Sequence, residues 1–227
     1  NYIWEKRIKD YVKNICVIDD LTNRAHDCNI LINQQINQSD IIKYKELVNN
    51  DCKIYTGNDY LFFHKKYYDL KVNKKIESLK RINIFMGGAD LHNITTKVID
   101  LCNNFNNDNN LNIIFDVIIG KSNKNYIQTK EKIKKLKNFN IYYDLNFIGE
   151  ILSLADLAIG APGTTSYERC LTQTPSLMIC LAENQKTVIQ KFIDSKTSIY
   201  IGDISSNYEN QLLFNLNYLN NNPKELK

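Results

Sequence analysis

The chain has 227 residues, 43% of them hydrophobic, and a formal net charge of +4. That length admits one large domain or two small ones, and that apolar content builds a real core. The small, dispersed charge favours anionic small molecules without requiring nucleic acid, and no apolar run approaches the length of a membrane span.

Cys16, Cys28, Cys52, Cys102, Cys170 and Cys180 show no C-x-x-C spacing, and several lie in apolar runs. They read as buried, reduced thiols of a cytoplasmic protein, with zinc and disulfides disfavoured. Asn, Ile and Lys are abundant while Gly and Pro are scarce, a bias of the source more than of function. No signal peptide is visible. The chain opens on Asn1, inside a helical pattern, so the expectation is a piece of a longer protein.

In chain order, Ile3, Trp4, Ile8, Tyr11 and Val12 give the first 14 residues a helical period. Ile15–Ile18 reads as a buried strand ending in Asp19-Asp20. Carboxylates at the end of a parallel strand stand where α/β proteins bind ligands, or else cap the next turn, the reading favoured for Asp20. A polar loop over Leu21–Asp27 carries Arg24 and His26, and a loop histidine is more often structural than catalytic. Asn29–Gln34 is a short strand ending in the amides Asn33, Gln34 and Gln35. Asp40–Asn50 suits a short helix or loop, Lys53–Thr56 a strand, and Tyr60–Phe63 a small apolar strand. Leu70–Lys80 is charged and reads as a coreless linker, which sets domains at 1–75 and 76–227.

From Arg81 strands and helices alternate. Strands are predicted at Ile82–Met86, Ile113–Ile119, Ile141–Tyr143, Leu157–Ile159, Ser176–Leu181 and Ser198–Ile201. Helices are predicted at Leu91–Cys102, Asn125–Lys137, Ile148–Ala155, Gln185–Asp194 and Tyr208–Leu219, with Asn103–Asn112 an Asn-rich loop. This alternation predicts an α/β fold with a parallel, doubly wound sheet. Its strand exits face one edge, bringing together the turns at Gly87-Gly88, Gly120 and Gly160–Gly163. None of these is G-x-G-x-x-G or a P-loop, so dinucleotide binding and ATP hydrolysis lose support.

The stretch Asp156–Gln185 carries the densest chemistry. A strand meets Pro162-Gly163, then Thr164, Thr165 and Ser166 stand at a helix start. Free N–H groups and hydroxyls at such a start form an anion site. One hydroxyl suffices for ordinary capping, so three in a row after Pro-Gly point to phosphate. Glu168 follows about one turn later, as a dipole partner or as a ligand for a diol. Together these suit a phosphate with a ribose. Asn184 is either a turn residue or a ligand at a strand end; Asp90 reads as a helix cap.

The motifs Ile18–Gln34, Gly57–Tyr67 (GNDYLFFHKKY), Phe85–Asp90 (FMGGAD), Asn146–Cys170 and Glu183–Gln185 (ENQ) come in a family-like order. In that series the chain resembles the UDP-sugar hydrolases of pseudaminic acid biosynthesis. These are relatives of the transferase that makes lipid II and share its two-domain GT-B fold. The resemblance implies two Rossmann-like domains, the N-terminal one incomplete, and cleavage of UDP from a 2,4-diacetamido-2,4,6-trideoxy sugar by water at the anomeric carbon, with inversion. It implies no metal or other cofactor. UDP would meet the main chain at Phe147-Ile148, Glu168 would hold the ribose, and Gly163, Thr164, Thr165 and Ser166 the diphosphate. Gly87 and Gly88 would border the same site. Asn184 and Gln185 would reach the sugar or the phosphates, and Tyr2 matches a family tyrosine near the sugar. Asn184 and Tyr2 are thus the catalytic candidates. The implied partners are a UDP-sugar, and a fusion to or complex with other sugar-biosynthesis enzymes, with no nucleic acid and no membrane span.

Two departures qualify the resemblance. The family's G-x-G-H-x-x-R loop, which carries its histidine base, is missing, and His26, His64 and His92 lie in other contexts. His64 also stands where the family tends to have Arg. The expectation is that about the first third of a two-domain protein is absent, leaving a chain that binds UDP without hydrolysing it. A glycosyltransferase of the same fold and a non-catalytic nucleotide-binding fragment are the alternatives.

Overall fold

The computed structural model describes residues 1–34 and 38–226, apart from the side chains of residues 38–40, 184 and 187. Gln35 therefore lies outside the described residues. The chain divides into two compact units, Asn1–Phe63 and His64–Lys227.

In the first unit, α1 (Tyr2–Ile8) precedes a three-stranded parallel sheet of β1 (Cys16–Ile18), β2 (Ile30–Asn33) and β3 (Lys53–Thr56), in that spatial order. Ile30 lies opposite Cys16 on one side and Lys53 on the other. Ile15, Cys28, Leu31 and Tyr44 form a small core. The expected buried strand at Ile15–Ile18 is instead an edge: Ile15 is buried just before it, while Cys16 and Ile18 are exposed. The expected strand at Tyr60–Phe63 is absent. A 3-10 turn spans Asn58–Tyr60, and Phe62 beyond it is exposed. An apolar run of four residues has no sheet neighbour here to pair its backbone.

The second unit is a regular alternation: β4 (Arg81–Phe85), α2 (Ile94–Asp108), β5 (Ile114–Ile119), α3 (Tyr126–Ile133), β6 (Phe139–Tyr143), α4 (Gly149–Leu154), β7 (Leu157–Gly160), α5 (Thr164–Leu171), β8 (Ser176–Cys180), α6 (Lys186–Asp194), β9 (Ser198–Asp203) and α7 (Tyr208–Asn221). All six strands run parallel, in the order β6-β5-β4-β7-β8-β9. The chain winds outward from β4 to β6, then returns to the other side of β4 and winds outward again. Connections leave β4 and β7 in opposite directions, which opens a crevice beyond their carboxyl ends.

Helices cover both faces, and β5 records this in its side chains. Phe115, Val117 and Ile119 join the main core with α2 and α7, whereas Ile118 packs with Ile148 and Leu152 of the α4 side. Strand residues two apart share a face, so a strand buried on both sides is apolar throughout. Asp116 interrupts that run and is fully buried; Arg81 Nε (2.5 Å) and Asn140 Nδ2 (2.9 Å) satisfy its carboxylate.

Two expectations fail within this unit. The Asn-rich stretch is no coreless loop, because α2 continues to Asp108. Phe105 lies one turn beyond Cys102 and is buried, and Asn106 Oδ1 accepts the Ile113 N–H at 3.0 Å. Leu70–Lys80 likewise contributes core, through Ile76 and Leu79. Lys74 anchors the same stretch: its ammonium donates to Leu152 O (2.9 Å), Ala155 O (2.6 Å) and Thr174 Oγ1 (2.5 Å). The unit begins at His64, ahead of the 75/76 boundary expected from charge alone.

Candidate functional site

The glycine turns of the second unit gather at the carboxyl edge. Gly87 and Gly88 follow β4, and Gly163 follows β7, so these two turns flank the switch point. Gly87 (φ +86) and Gly163 (φ +153) adopt backbone conformations that a side chain strains. A Cβ added at Gly87, Gly88 or Gly163 would meet nothing within 4 Å, so the backbone here faces open space. Gly120, at the exit of β5, packs on Gly88: its Cβ would approach Gly88 Cα to 2.5 Å. The turns are thus mutually braced and open outward.

The three hydroxyls at the start of α5 divide their work. Ser166 is buried, and its Oγ accepts the Gly163 N–H (3.3 Å) while its own N–H donates to Gly163 O (2.9 Å). That reciprocal pair closes the helix start, so the Ser166 hydroxyl is a cap. Thr165 hydrogen-bonds the Glu168 carboxylate, and Thr164 is exposed at the first helical position. The start of α5, with its partial positive charge, follows directly on the open turn at Gly163.

Glu168 sits behind this edge, half-buried, with Thr165 and the Tyr67 hydroxyl as hydrogen-bond partners. Burial raises its pKa above the usual carboxylate value, against the pull of those bonds and of nearby Arg169 and His64. Tyr67 belongs to an aromatic group: its ring meets Phe147 edge-on at 4.8 Å, and His64 lies 5.1 Å from the same Phe147 ring. Gly149 makes room for both, since a Cβ there would stand 2.5 Å from Phe147 and 2.6 Å from Tyr67. Ile148 turns its side chain into the core beside Leu152 and Ile118.

Other sequence candidates stand elsewhere. Gln185 Oε1 accepts the Leu181 N–H at 2.8 Å, which closes the end of β8. The backbone of Asn184 lies in the 3-10 turn Glu183–Gln185, and its side chain falls outside the described residues. Tyr2 is an exposed residue of α1 in the first unit. Asp90 caps α2, accepting N–H groups of Ile94 (2.8 Å) and Thr95 (2.9 Å).

In the first unit the capping aspartate is Asp19, not Asp20. Buried Asp19 accepts the Thr22 N–H (2.9 Å) and the Tyr44 hydroxyl (2.7 Å), and Arg24 Nη2 lies 2.9 Å from its other oxygen. Burial pushes this carboxyl up, but Tyr44, Thr22, His26 and Arg24 together hold it below its usual value. His26 is buried too, with Nδ1 3.0 Å from Glu5 and Nε2 3.6 Å from Asp19. It is a structural histidine, as its loop position suggested.

Sequence reasoning gave no role to two residues of the second unit's carboxyl edge. Tyr67 ended a quoted motif, and only the fold brings it to Glu168. Arg169 is 1% exposed, and a readable signal existed: it follows Ser166 by three residues, on the same inward face of α5.

No family model matches the chain. It is similar to the spore coat polysaccharide biosynthesis protein SpsG of Bacillus subtilis (strain 168), 22% identical over 162 residues, 71% of this chain and 47% of SpsG. Among solved structures it is similar to a glycotransferase of kitacinnamycin (TM-score 0.55, 13% identity, 88% of this chain and 48% of that one). It is also similar to S. aureus MnaA in a co-structure with UDP (TM-score 0.56, 12% identity, 88% and 52%). The chain thus spans less than half of SpsG and about half of these structures. At these identities the likeness establishes the fold alone: parallel-sheet α/β of the GT-B type. No helix among the described residues is long and apolar enough to cross a membrane.

Proposed function

We propose that the His64–Lys227 unit binds the UDP portion of a UDP-sugar, and that the protein acts in transfer of the sugar from UDP to an acceptor. What carries the reading is the pair of open glycine turns at Gly87-Gly88 and Gly163, flanking one switch point, with Glu168 behind them on α5. Main-chain N–H groups of the turns and the Thr164 end of α5 hold the diphosphate. Glu168 accepts from the ribose hydroxyls, and the main chain at Phe147-Ile148 meets the uracil. Leaving-group charge builds on the diphosphate as the anomeric bond breaks, and fixed helix-end donors stabilise it. Asn184, Gln185 and Tyr2 belong to the sugar side of the same proposal. A cytoplasmic location, a fusion to or complex with other sugar-biosynthesis enzymes, and independence of metal are part of it as well.

The second reading takes water as the acceptor, making the protein a hydrolase of a UDP-2,4-diacetamido-2,4,6-trideoxyhexose in pseudaminic acid biosynthesis. The ordered motifs from Ile18–Gln34 to Glu183–Gln185 favour it. Transfer to an alcohol is the preferred reading because glycosyltransferases stand among the similar folds.

Calorimetric titration of the chain with UDP tests the binding. The expected result is saturable binding that Glu168→Ala weakens by about ten-fold, the usual scale for losing charge-assisted hydrogen bonds. Equal affinity in both proteins would remove Glu168 from the site. Incubating the full-length parent protein with UDP-sugars separates the two reactions: free sugar released without any acceptor selects hydrolysis, and acceptor-dependent UDP release selects transfer.

A further inference from the structure

Arg169 is a buried charge that makes no salt bridge among the described residues, although the neighbouring Glu168 carboxylate attracts it through space. Its Nη1 donates to Ala161 O and its Nη2 to Phe85 O, both at 3.3 Å. Its Nε is buried with no partner among the described residues. Neighbouring Glu168 hydrogen-bonds Tyr67 and Thr165, so it attracts the guanidinium through space while its bonds go elsewhere. Burial draws Arg169 down from the ordinary arginine value to about 10. An unpaired charge removed from water is costly, and such groups persist where something binds against them.

Its two acceptors locate that something. Phe85 is the last residue of β4 and leads into Gly87-Gly88; Ala161 follows β7 and leads into Gly163. Arg169 therefore ties together the two strands that border the switch point, immediately beneath the two open turns. The chain makes space for it there: a Cβ at Gly160 would collide with Arg169 Nη2 and with Phe85 O.

We propose that Arg169 supplies the buried positive charge for the diphosphate of the bound nucleotide, acting through the two turns it holds and without touching the ligand. This rests on the nucleotide reading above. A charge in a low-dielectric interior acts over a longer range than one in water, and it favours ligands by their charge. The ligand's phosphates add to the negative charge that Glu168 alone brings near the guanidinium in the folded chain.

Because the turns themselves hold the diphosphate, losing the clamp alone would also lower UDP against uridine. Charge is separated from clamp by Arg169→Lys, which keeps the charge without the two-pronged donor, against Arg169→Gln, which keeps a donor without the charge; a Lys variant no better than Gln would overturn the role of the charge. Uridine, UMP and UDP are therefore titrated against the unaltered chain and against Arg169→Met, Arg169→Gln and Arg169→Lys, each checked for folding by circular dichroism. Replacing an unpaired buried charge by an apolar side chain of similar volume is often tolerated, so the Met variant is expected to fold, with Gln as the second neutral form. The neutral variants should hold uridine affinity within about two-fold while the UDP-to-uridine ratio falls about ten-fold or more, with Arg169→Lys recovering part of it. A folded neutral variant with the parental ratio would overturn the role of Arg169. Failure of the unaltered chain to bind UDP counts against the nucleotide reading itself, and is seen before any variant is made.

Discussion

The two edges of the second unit's sheet treat buried cations in opposite ways. At the amino edge, Lys74 donates to three acceptors, two of them carbonyls at the end of α4 and the third Thr174, just ahead of β8. Asp156 completes that edge by accepting the N–H groups of Lys80 and Arg81, each at 2.8 Å. At the carboxyl edge, Arg169 keeps an unpartnered nitrogen beneath two turns whose backbone faces open space. A cavity of about 530 Å³ does lie near the amino edge, lined by Lys74, Ile76, Gln173 and Leu226. Its buried cation, Lys74, is already saturated. Unsatisfied polarity, more than volume, marks where a ligand belongs.

The largest expected effect breaks the saturated side. Lys74→Met removes the ammonium that joins Ala155 O, Leu152 O and Thr174 Oγ1, of which Leu152 O keeps the Thr174 hydroxyl as a donor, and should cost about 3 kcal/mol in urea unfolding. UDP affinity of the folded variant should stay at the parental level, because the opposite edge is untouched. The pH dependence has a definite sign. Burial lowers Lys74 to about 8, so between pH 8 and its ordinary 10.5 the unfolded chain binds the extra proton. Stability from this group therefore rises as pH rises through that window. The variant should lose this rise, read by urea titration between pH 8 and 9.5, below the tyrosine range.

Glu168→Gln sharpens the comparison on the other side. Burial raises the Glu168 pKa from 4.5, so its contribution to stability is complete below about pH 4.5 and is lost as pH rises through the folded value. Glutamine escapes that loss and still accepts from Tyr67. The variant should be the more stable protein at pH 7 by thermal melting, yet bind UDP about ten-fold more weakly. A variant both more stable and equally good at binding would mean that the raised carboxylate serves no ligand.

The alternation from Arg81 onward was legible because the central strands β4, β5, β7 and β8 are largely buried on both faces and several exits carry a break, as at Gly87-Gly88 and Pro162-Gly163. The start of α5 was legible, since Pro162-Gly163 and the three hydroxyls mark it. The first unit was harder. Apolar β1 lies at a sheet edge with Ile18 exposed, and the apolar Tyr60–Phe63 run has no strand beside it, so burial could not be inferred from apolarity. Polar composition misled in the opposite direction at Asn103–Asn112, where buried Phe105 and Asn106 keep α2 docked beyond Cys102. Within the candidate site the turns and Glu168 were legible as local patterns. Tyr67 was not, because it lies 101 residues before Glu168 and only packing brings them together. Arg169 carried a helical signal, but its meaning depends on which strand ends lie beneath it.

The smallest effects separate the hydroxyls of α5. Ser166→Ala removes the acceptor for the Gly163 N–H in a buried place, and the lost cap should cost about 1 kcal/mol of stability. Thr164→Ala removes an exposed hydroxyl with no described role in the cap, so stability should change by no more than about 0.5 kcal/mol. If the helix start holds phosphate, the order reverses in binding. Thr164→Ala should weaken UDP about three- to ten-fold while leaving uridine unchanged, as expected for one lost hydrogen bond to a charged group. Ser166→Ala acts on UDP only through the turn it closes, so its effect should fall as the protein is cooled and the cap matters less to the folded population. Paired melting curves and titrations of the two variants decide which hydroxyl faces the helix and which faces the ligand.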